Sequence, residues 1–536
     1  MTARRGLLLG LGLLAALPIG VAALYAVIQH WTPIGDDAFI GIRAYDVFTG
    51  RTPLVGQRSS GASDVLSETV YSPGPLLFWL MAIPARLPDP VFMAFTAAAV
   101  NVASIAGSVA LALRRGGWAL AVATAVAVPV MLASLPAETY ADVWNSSAPL
   151  MPMMLLVFLG WSIACGEYRL LPLAVLVASF VVQSHLTFVA PAAGVMAVTL
   201  VVAIAFGSAR RWPRRWLVAT LFVAAVCWSA PVIDQIVHSP GNLRTLVESA
   251  TNSDKTIGFA SGWKTVVHTI GIRPWWLQDD RSTLARIGDL TQTPSALAIA
   301  SAVALLTLLA GLTAIGVSRR RADLTAAGAL GLVLALAAGL AASSTPVKSF
   351  GTVGYTLRWT SPVGMCVWLL AGWGLVTVLE GRLRLLAPRP QAAAAVALVA
   401  VALVGLVVAI GENPPRREAY KEMRSLNHTL KTDLPASGGT RVLPASSLQA
   451  LGLTNELEAG TVFWLRRHRR HVVTTKNVAE RTSPEYATGS YDRLLRLFVD
   501  VPAAPGGRAI AQFPVVDEVD QKTVHHVTVT LSELRP

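Results

Sequence analysis

Charge is the scarcest thing in this chain. Only 14% of its 536 residues are Asp, Glu, Lys or Arg, and the first 254 contain no lysine at all. A soluble protein of this size carries about a quarter charged residues, so a string of ordinary water-soluble domains is excluded. Cysteine is almost missing as well. Cys165, Cys227 and Cys366 stand far apart in apolar runs, which leaves no disulfide framework and no metal-knuckle spacing. No Gly-rich Lys-Ser/Thr phosphate loop occurs, nor any His-Glu-x-x-His or Gly-x-Ser-x-Gly motif. ATP-driven transport by this chain, zinc-protease chemistry and a serine-nucleophile elbow therefore have no signature here.

What fills the space is apolar: 54% of the residues, with a mean hydropathy of +0.55. A bilayer core of about 30 Å takes about 20 apolar helical residues. Uncharged stretches of that length predict eleven spans: 6–28, 91–113, 116–137, 146–166, 170–190, 191–209, 216–233, 294–318, 324–347, 359–379 and 390–411. Residues 170–209 form one uncharged run of 40, divided here at Pro191 because proline breaks the helical ladder. The first stretch has 23 uncharged residues, longer than a usual signal-peptide core, and reads as a retained span.

The excess of basic over acidic residues, net +13, has an address. With the N-terminus inside, the cytoplasmic connections hold fifteen arginines, clustered at 4–5, 114–115, 169, 210–215, 319–321 and 382–389, against Glu167, Asp323 and Glu380. Basic short loops resist translocation, so the termini and loops are oriented by this asymmetry, and the net charge implies no nucleic-acid partner. The fold class is thus an α-helical polytopic membrane protein of about eleven spans. Its membrane domain, 1–411, has external loops at 29–90 and 234–293. A C-terminal extracytoplasmic α+β domain, 412–536, has strand-like runs at Val472–Thr475 and Val524–Leu531. Pro75–Pro88 is apolar but too short to span, and reads as an interfacial or re-entrant helix. The strip Arg466, Arg467, His468, Arg469, Arg470 suits a solvated face or an anionic polymer.

Ionisable residues are nearly excluded from the spans, so chemistry is sought at the outer rim. Asp36-Asp37 follows the first span; adjacent carboxylates can divide the roles of base and cation ligand, or simply cap a helix. Tyr71-Ser72-Pro73-Gly74-Pro75 precedes the short apolar segment, and Glu138, Tyr140, Asp142, Trp144 and Asn145 follow the third span.

In these features the chain resembles the GT-C superfamily of polytopic glycosyltransferases, over residues 1–410 and most closely its bacterial cell-envelope enzymes. Ser72-Pro73-Gly74-Pro75 stands where the lipid A aminoarabinose transferases carry a His-Pro-Pro motif. The resemblance implies a polyprenyl-phosphate sugar donor, a cell-envelope glycan or lipid acceptor, and Asp36 as catalytic base with Asp37 assisting. It extends to Glu138, Asp142, Trp144 and His185 as acceptor or sugar contacts, and to Asp37 and Asp142 as ligands of a divalent cation (Mg, Mn or Ca). A lipid phosphate needs positive charge, which Arg358 and Lys348, with Tyr355 nearby, offer before the tenth span. Bland readings stand beside these: interfacial anchors for Trp144 and Tyr140, snorkelling for Arg358, packing for His185. Trp263, His268, Arg273, Trp275, Trp276, Asp279 and Asp280 in the second loop fit sugar stacking or a membrane-surface loop equally. The expected activity is inverting sugar transfer on the outer face of the plasma membrane. The alternatives are a flippase for a lipid-linked glycan, which needs polar residues at mid-span where Asn101, Gln183 and His185 are the main ones, and a glycan-binding scaffold.

Overall fold

The structure is a computed structural model that describes residues 2–66, 68–207, 213–252, 255–278, 283–383, 400–408, 417–435, 437–516 and 522–534. Six of its helices are long and apolar enough to cross a membrane: Val91–Leu132, Leu186–Ala205, Arg214–Val237, Ala296–Ser318, Ala322–Ser343 and Thr360–Leu379. A seventh is the pair Gly6–Ala15 and Leu17–Ile28, bent by 60°. The 42-residue helix leaves helical geometry at Gly116 and Gly117, where Gly117 has φ +65°, so it holds the two expected spans as two arms around an arginine pair.

The count of eleven is not reproduced by length. Leu150–Ala164 and Leu171–Ser184 have 15 and 14 residues, about 21–23 Å at 1.5 Å per residue, short of a bilayer core. The long uncharged run breaks at His185, which is extended at φ −153°, ψ 138°, rather than at Pro191. Pro191 lies in the first turn of the helix Val189–Ala205, where its missing N–H would have had no partner. Of the expected span 390–411, only 400–408 falls within the described residues, and there it is helical.

Among the described residues, the basic clusters at 114–115 and 169 meet at one end of the bundle. Glu167 accepts from Arg114 at 2.9 Å and from Arg115, with Arg169 at 3.5 Å. Asp323 holds Arg321 at 2.7 Å, and its backbone carbonyl takes the Trp161 indole N–H. The acids of the outer loops lie at the other end, beyond the arm that runs on to Leu132.

At that other end, the helix Gly35–Asp46 is buried over most of its length. The expected interfacial segment is a six-residue helix, Leu76–Met81, packed beneath it by Leu77, Phe78 and Met81. Above lies the C-terminal domain. Its mixed sheet has strands β1 (Gly439–Ser446), β2 (His471–Val473), β3 (Arg493–Val499), β4 (Arg508–Val516) and β5 (Val524–Glu533) in the order β2-β1-β3-β5-β4. β1 pairs in parallel with β2 and β3; β5 is antiparallel to β3 and β4. The helix Leu451–Arg467 lies between this sheet and Gly35–Asp46, so close that a Cβ on Gly41 would sit 2.7 Å from the Phe463 ring.

Two buried side chains lock that contact. Asp46, fully buried, accepts from Arg466 at 2.7 Å and from the Tyr486 hydroxyl at 2.8 Å. The basic strip is therefore structural: Arg466 goes to Asp46, Arg467 to the Leu87 and Pro88 carbonyls, and Arg470 to those of Leu434 and Pro435. Asp46→Ala strands a buried guanidinium, a loss of about 3–5 kcal/mol. It is expected to lower the melting temperature and to free the domain 417–534 for limited proteolysis in detergent. An unchanged cleavage pattern and melting temperature would mean that this pair does not hold the domain down.

Candidate functional site

Three segments from distant parts of the chain meet above the bundle. The first is the start of Gly35–Asp46. Ile34 is extended (φ −132°, ψ 165°), Gly35 turns the chain at φ +52°, and Asp36 and Asp37 fall in the first helical turn, where the helix dipole favours negative charge. The second is the turn Ala137–Tyr140 and the loop after it. Asn101 Nδ2 donates to the Tyr140 carbonyl at 3.0 Å, the Tyr140 hydroxyl to the Leu132 carbonyl at 2.7 Å, and Asn145 Nδ2 to the Ser184 carbonyl at 3.2 Å. So pinned, the loop turns Asp142 back to accept from the Trp144 N–H at 2.9 Å.

The third segment is the short helix Lys476–Arg481 of the C-terminal domain. Buried Glu458 accepts from the Thr474 and Thr475 hydroxyls, each at 2.8 Å, just before it. Arg481, in its last turn, comes within 3.5 Å of Asp36 Oδ1 and lies 5.2 Å above the Phe39 ring.

Two cavities share a wall at this meeting point. The smaller, about 310 Å³, has Asp36, Asp37, Glu138, Asp142, Asn455 and Glu456 as its polar lining, with Arg481, and Pro18, Val21, Ala22 and Tyr25 of the first span on its apolar side. The larger, about 760 Å³, is a groove walled by Val182, Leu186, Val189, Leu243, Leu246 and Leu340. Its polar head holds Asp36, Gln57, Arg58, Ser349, Tyr355 and Arg481. Asp36, Trp144 and Arg481 line both.

Of the residues expected from sequence, Asp36, Asp37, Glu138, Asp142 and Trp144 converge on the smaller cavity. Tyr355 and His185 line the larger one. Tyr355 packs against Trp144 with ring centroids 4.8 Å apart and the ring planes tilted by 44°. His185 pairs through Nδ1 with the Thr187 hydroxyl at 2.9 Å. Arg358 is buried behind the site rather than in either lining; it lies 3.4 Å from Glu138 and 5.9 Å from the Trp144 ring. Lys348 is exposed and also outside both linings. In the second loop, Trp275 is fully buried, donates to Asp289 at 2.7 Å and stacks on His268, so it is a core residue; Asp279 and Asp280 lie outside the described residues.

Sequence reasoning missed the cations that do face the groove. Arg58 lies in a run, Gln57-Arg58-Ser59-Ser60, without a motif, and Arg481 is 445 positions from its acid. Both carry a buried Nε that has no hydrogen-bond partner.

Burial pushes the Asp142 carboxyl above the ordinary carboxylate range, and the Glu138 charge adds to this, against hydrogen bonds from the Trp144 N–H, the Ser147 hydroxyl and Asp37. Two carboxyls can hydrogen-bond only if one of them keeps a proton. Burial likewise raises the Tyr355 phenol, reinforced by the Asp36 charge, so it remains a neutral donor. Among the described residues, no group of three or more His, Cys, Asp or Glu side chains is placed to hold a metal ion. Asp37 is hydrogen-bonded to Asp142, and Asp36 lies 3.5 Å from Arg481.

The shared proton has a signature in stability. A carboxyl raised by folding contributes fully below its unfolded value of about 3.9, and the contribution is lost as pH rises through the raised value. Asp142→Asn, permanently neutral, is therefore expected to match the parent's melting temperature at about pH 4 and to exceed it at about pH 8. Equal melting temperatures at both ends would remove the shared proton.

No family model and no curated protein matches the sequence. Among solved structures, ArnT from Cupriavidus metallidurans bound to undecaprenyl phosphate superposes with a TM-score of 0.49 at 11% identity, over 96% of this chain and 97% of that one. The apo state of the same protein superposes with a TM-score of 0.47 at 11% identity, over 95% and 97%.

Proposed function

We propose that this protein is an integral-membrane glycosyltransferase. It moves a sugar from a polyprenyl-phosphate donor to a hydroxyl of a cell-envelope acceptor, on the face of the membrane opposite the arginine clusters. One observation carries the reading: a single carboxylate, Asp36, lines both a greasy groove with a cationic head and a separate polar chamber. A lipid-linked donor fits the first and an acceptor the second, and of the three residues shared by both linings, Asp36, Trp144 and Arg481, Asp36 is the one that can take a proton.

The isoprenoid tail lies along the groove, and its phosphate sits at the head against Arg58 and Arg481. Fork-shaped guanidinium groups match phosphate oxygens. Asp36 accepts the proton of the acceptor hydroxyl as that oxygen attacks the anomeric carbon from the side away from the phosphate. The new C–O bond forms while the glycosyl–phosphate C–O bond breaks, and its electron pair leaves with the lipid phosphate. Configuration inverts, and no separate acid is needed because the arginines stabilise the charge that develops on the phosphate. Arg481, 3.5 Å from Asp36, also favours the ionised carboxylate. No step runs through a metal.

The flippase alternative is less well served. The polar span residues that a path would use are tied up between helices: Asn101 on the Tyr140 carbonyl at 3.0 Å, Gln183 Nε2 on the Cys227 carbonyl at 2.8 Å.

In proteoliposomes given an undecaprenyl-phosphate sugar and an envelope acceptor fraction, Asp36→Asn is expected to abolish transfer while donor binding persists. Arg58→Ala removes a charged hydrogen bond worth about 1.5–3 kcal/mol and is expected to raise the donor KM about 10- to 100-fold. EDTA is expected to leave the rate unchanged. Full activity of Asp36→Asn would remove Asp36 from the role of base.

A further inference from the structure

The head of the larger cavity carries information about the sugar itself, and this inference rests on the transferase reading. Its fixed charges are few. Among the described residues lining the 760 Å³ groove, only Asp36, Arg58 and Arg481 belong to Asp, Glu, Lys or Arg. Asp36 and Arg481 lie 3.5 Å apart, so the three together carry one net positive charge, which the single negative charge of a sugar-bearing phosphodiester held by the two arginines balances. Nothing is left over. Within the described lining of this groove an ammonium on the sugar would find no second carboxylate, and a sugar carboxylate no third arginine or lysine; either charge would be desolvated there at a cost of several kcal/mol without a partner.

The neutral groups point the same way. Gln57 and Ser349, each 5% exposed, line this head. Gln57 Oε1 and Ser349 Oγ are buried without a hydrogen-bond partner. A buried polar atom left unmatched costs about 1–3 kcal/mol, so two together beside a phosphate-binding arginine mark a place where a ligand's own hydroxyls complete the set.

Both are held rigidly. The backbone of Gln57 is zipped to the segment before Pro73, with Ser72 N donating to the Gln57 carbonyl at 2.8 Å, Gly56 N to the Ser72 carbonyl at 2.9 Å and Ser59 N to the Val70 carbonyl at 2.8 Å. Ser349 N donates to the Pro346 carbonyl at 2.9 Å, and its hydroxyl lies 3.3 Å from where a Cβ on Gly61 would be.

We infer that the donor carries an uncharged polyhydroxy sugar, neither an aminosugar nor a uronic acid, whose hydroxyls are read by Gln57 and Ser349. Neutral groups built to pair with hydroxyls discriminate strongly against ligands that leave them unpaired. The test is binding to the full-length protein in detergent, by thermal shift or native mass spectrometry. The probes are undecaprenyl phosphate, a neutral panel (its glucosyl, mannosyl, galactosyl and arabinosyl derivatives), and its glucosaminyl and glucuronosyl derivatives.

At least one neutral derivative is expected to bind about tenfold or more tightly than the sugarless lipid, and the two charged derivatives no more tightly than it. Gln57→Ala and Ser349→Ala should each erase that gain and leave undecaprenyl phosphate binding unchanged, which also shows that the variants are folded. Gln57→Glu should turn the preference toward the glucosaminyl lipid. A charged derivative binding tightest, no sugar adding affinity, or Gln57→Ala weakening the sugarless lipid equally would each overturn the inference while the transferase reading stands. Failure of undecaprenyl phosphate itself to bind would bring down both.

Discussion

One buried ion pair sets up the rest. Asp46 sits fully enclosed at the end of a twelve-residue helix and, among the described residues, its carboxylate accepts hydrogen bonds from Arg466 and Tyr486, from the other end of the chain. A carboxylate taken out of water must be paired and hydrogen-bonded, so the helix and the C-terminal domain are fixed to one another. About 14–15 Å back along the same helix, at 1.5 Å per residue, are Asp37 and Asp36. The docking end and the chemical end are parts of one rigid rod, and what clamps the first orients the second. The short helix bearing Arg481 arrives as part of the clamped domain.

The two cavities differ in the way a two-substrate enzyme needs. One is apolar along its length and cationic at its head; the other is mostly acidic, with an apolar wall from the first span. A phosphate entering the second would meet Asp36, Glu138, Glu456 and the proton-sharing pair Asp37–Asp142, so like charge disfavours an anion there. Trp144, packed against Tyr355 and shared by both linings, stands between them.

Much of this was legible in the sequence, and the reason differs from residue to residue. Hydrophobic runs and arginine clusters are local, so the helices appear near where uncharged stretches lie. The break at His185 could not be seen because nothing in an uncharged run marks a backbone turned extended. Asp36, Asp37, Glu138, Asp142 and Trp144 flank spans on the same side, and spans packed together bring such loops together. Side-chain rotation is not local information. Arg358, just ahead of the tenth span, faces inward behind Glu138, and Lys348 faces solvent, though both sit in the right connection. Arg481 had no signal at all, since its relation to Asp36 exists only through the fold of a domain whose first helix begins at Arg417. Arg466 to Arg470 looked like a charged surface because a run of cations says nothing about the carbonyls and carboxylate it will meet.

Arg481 comes from the far end of the chain, and proteins are made from the N-terminus onward. Until residue 481 has been made, Asp36 stands without the guanidinium that faces it, and the roof of the site does not yet exist. The order of synthesis thus makes the two-chambered site one of the later features of the newborn chain to form. A product cut short by a premature stop would embed normally and have an incomplete centre.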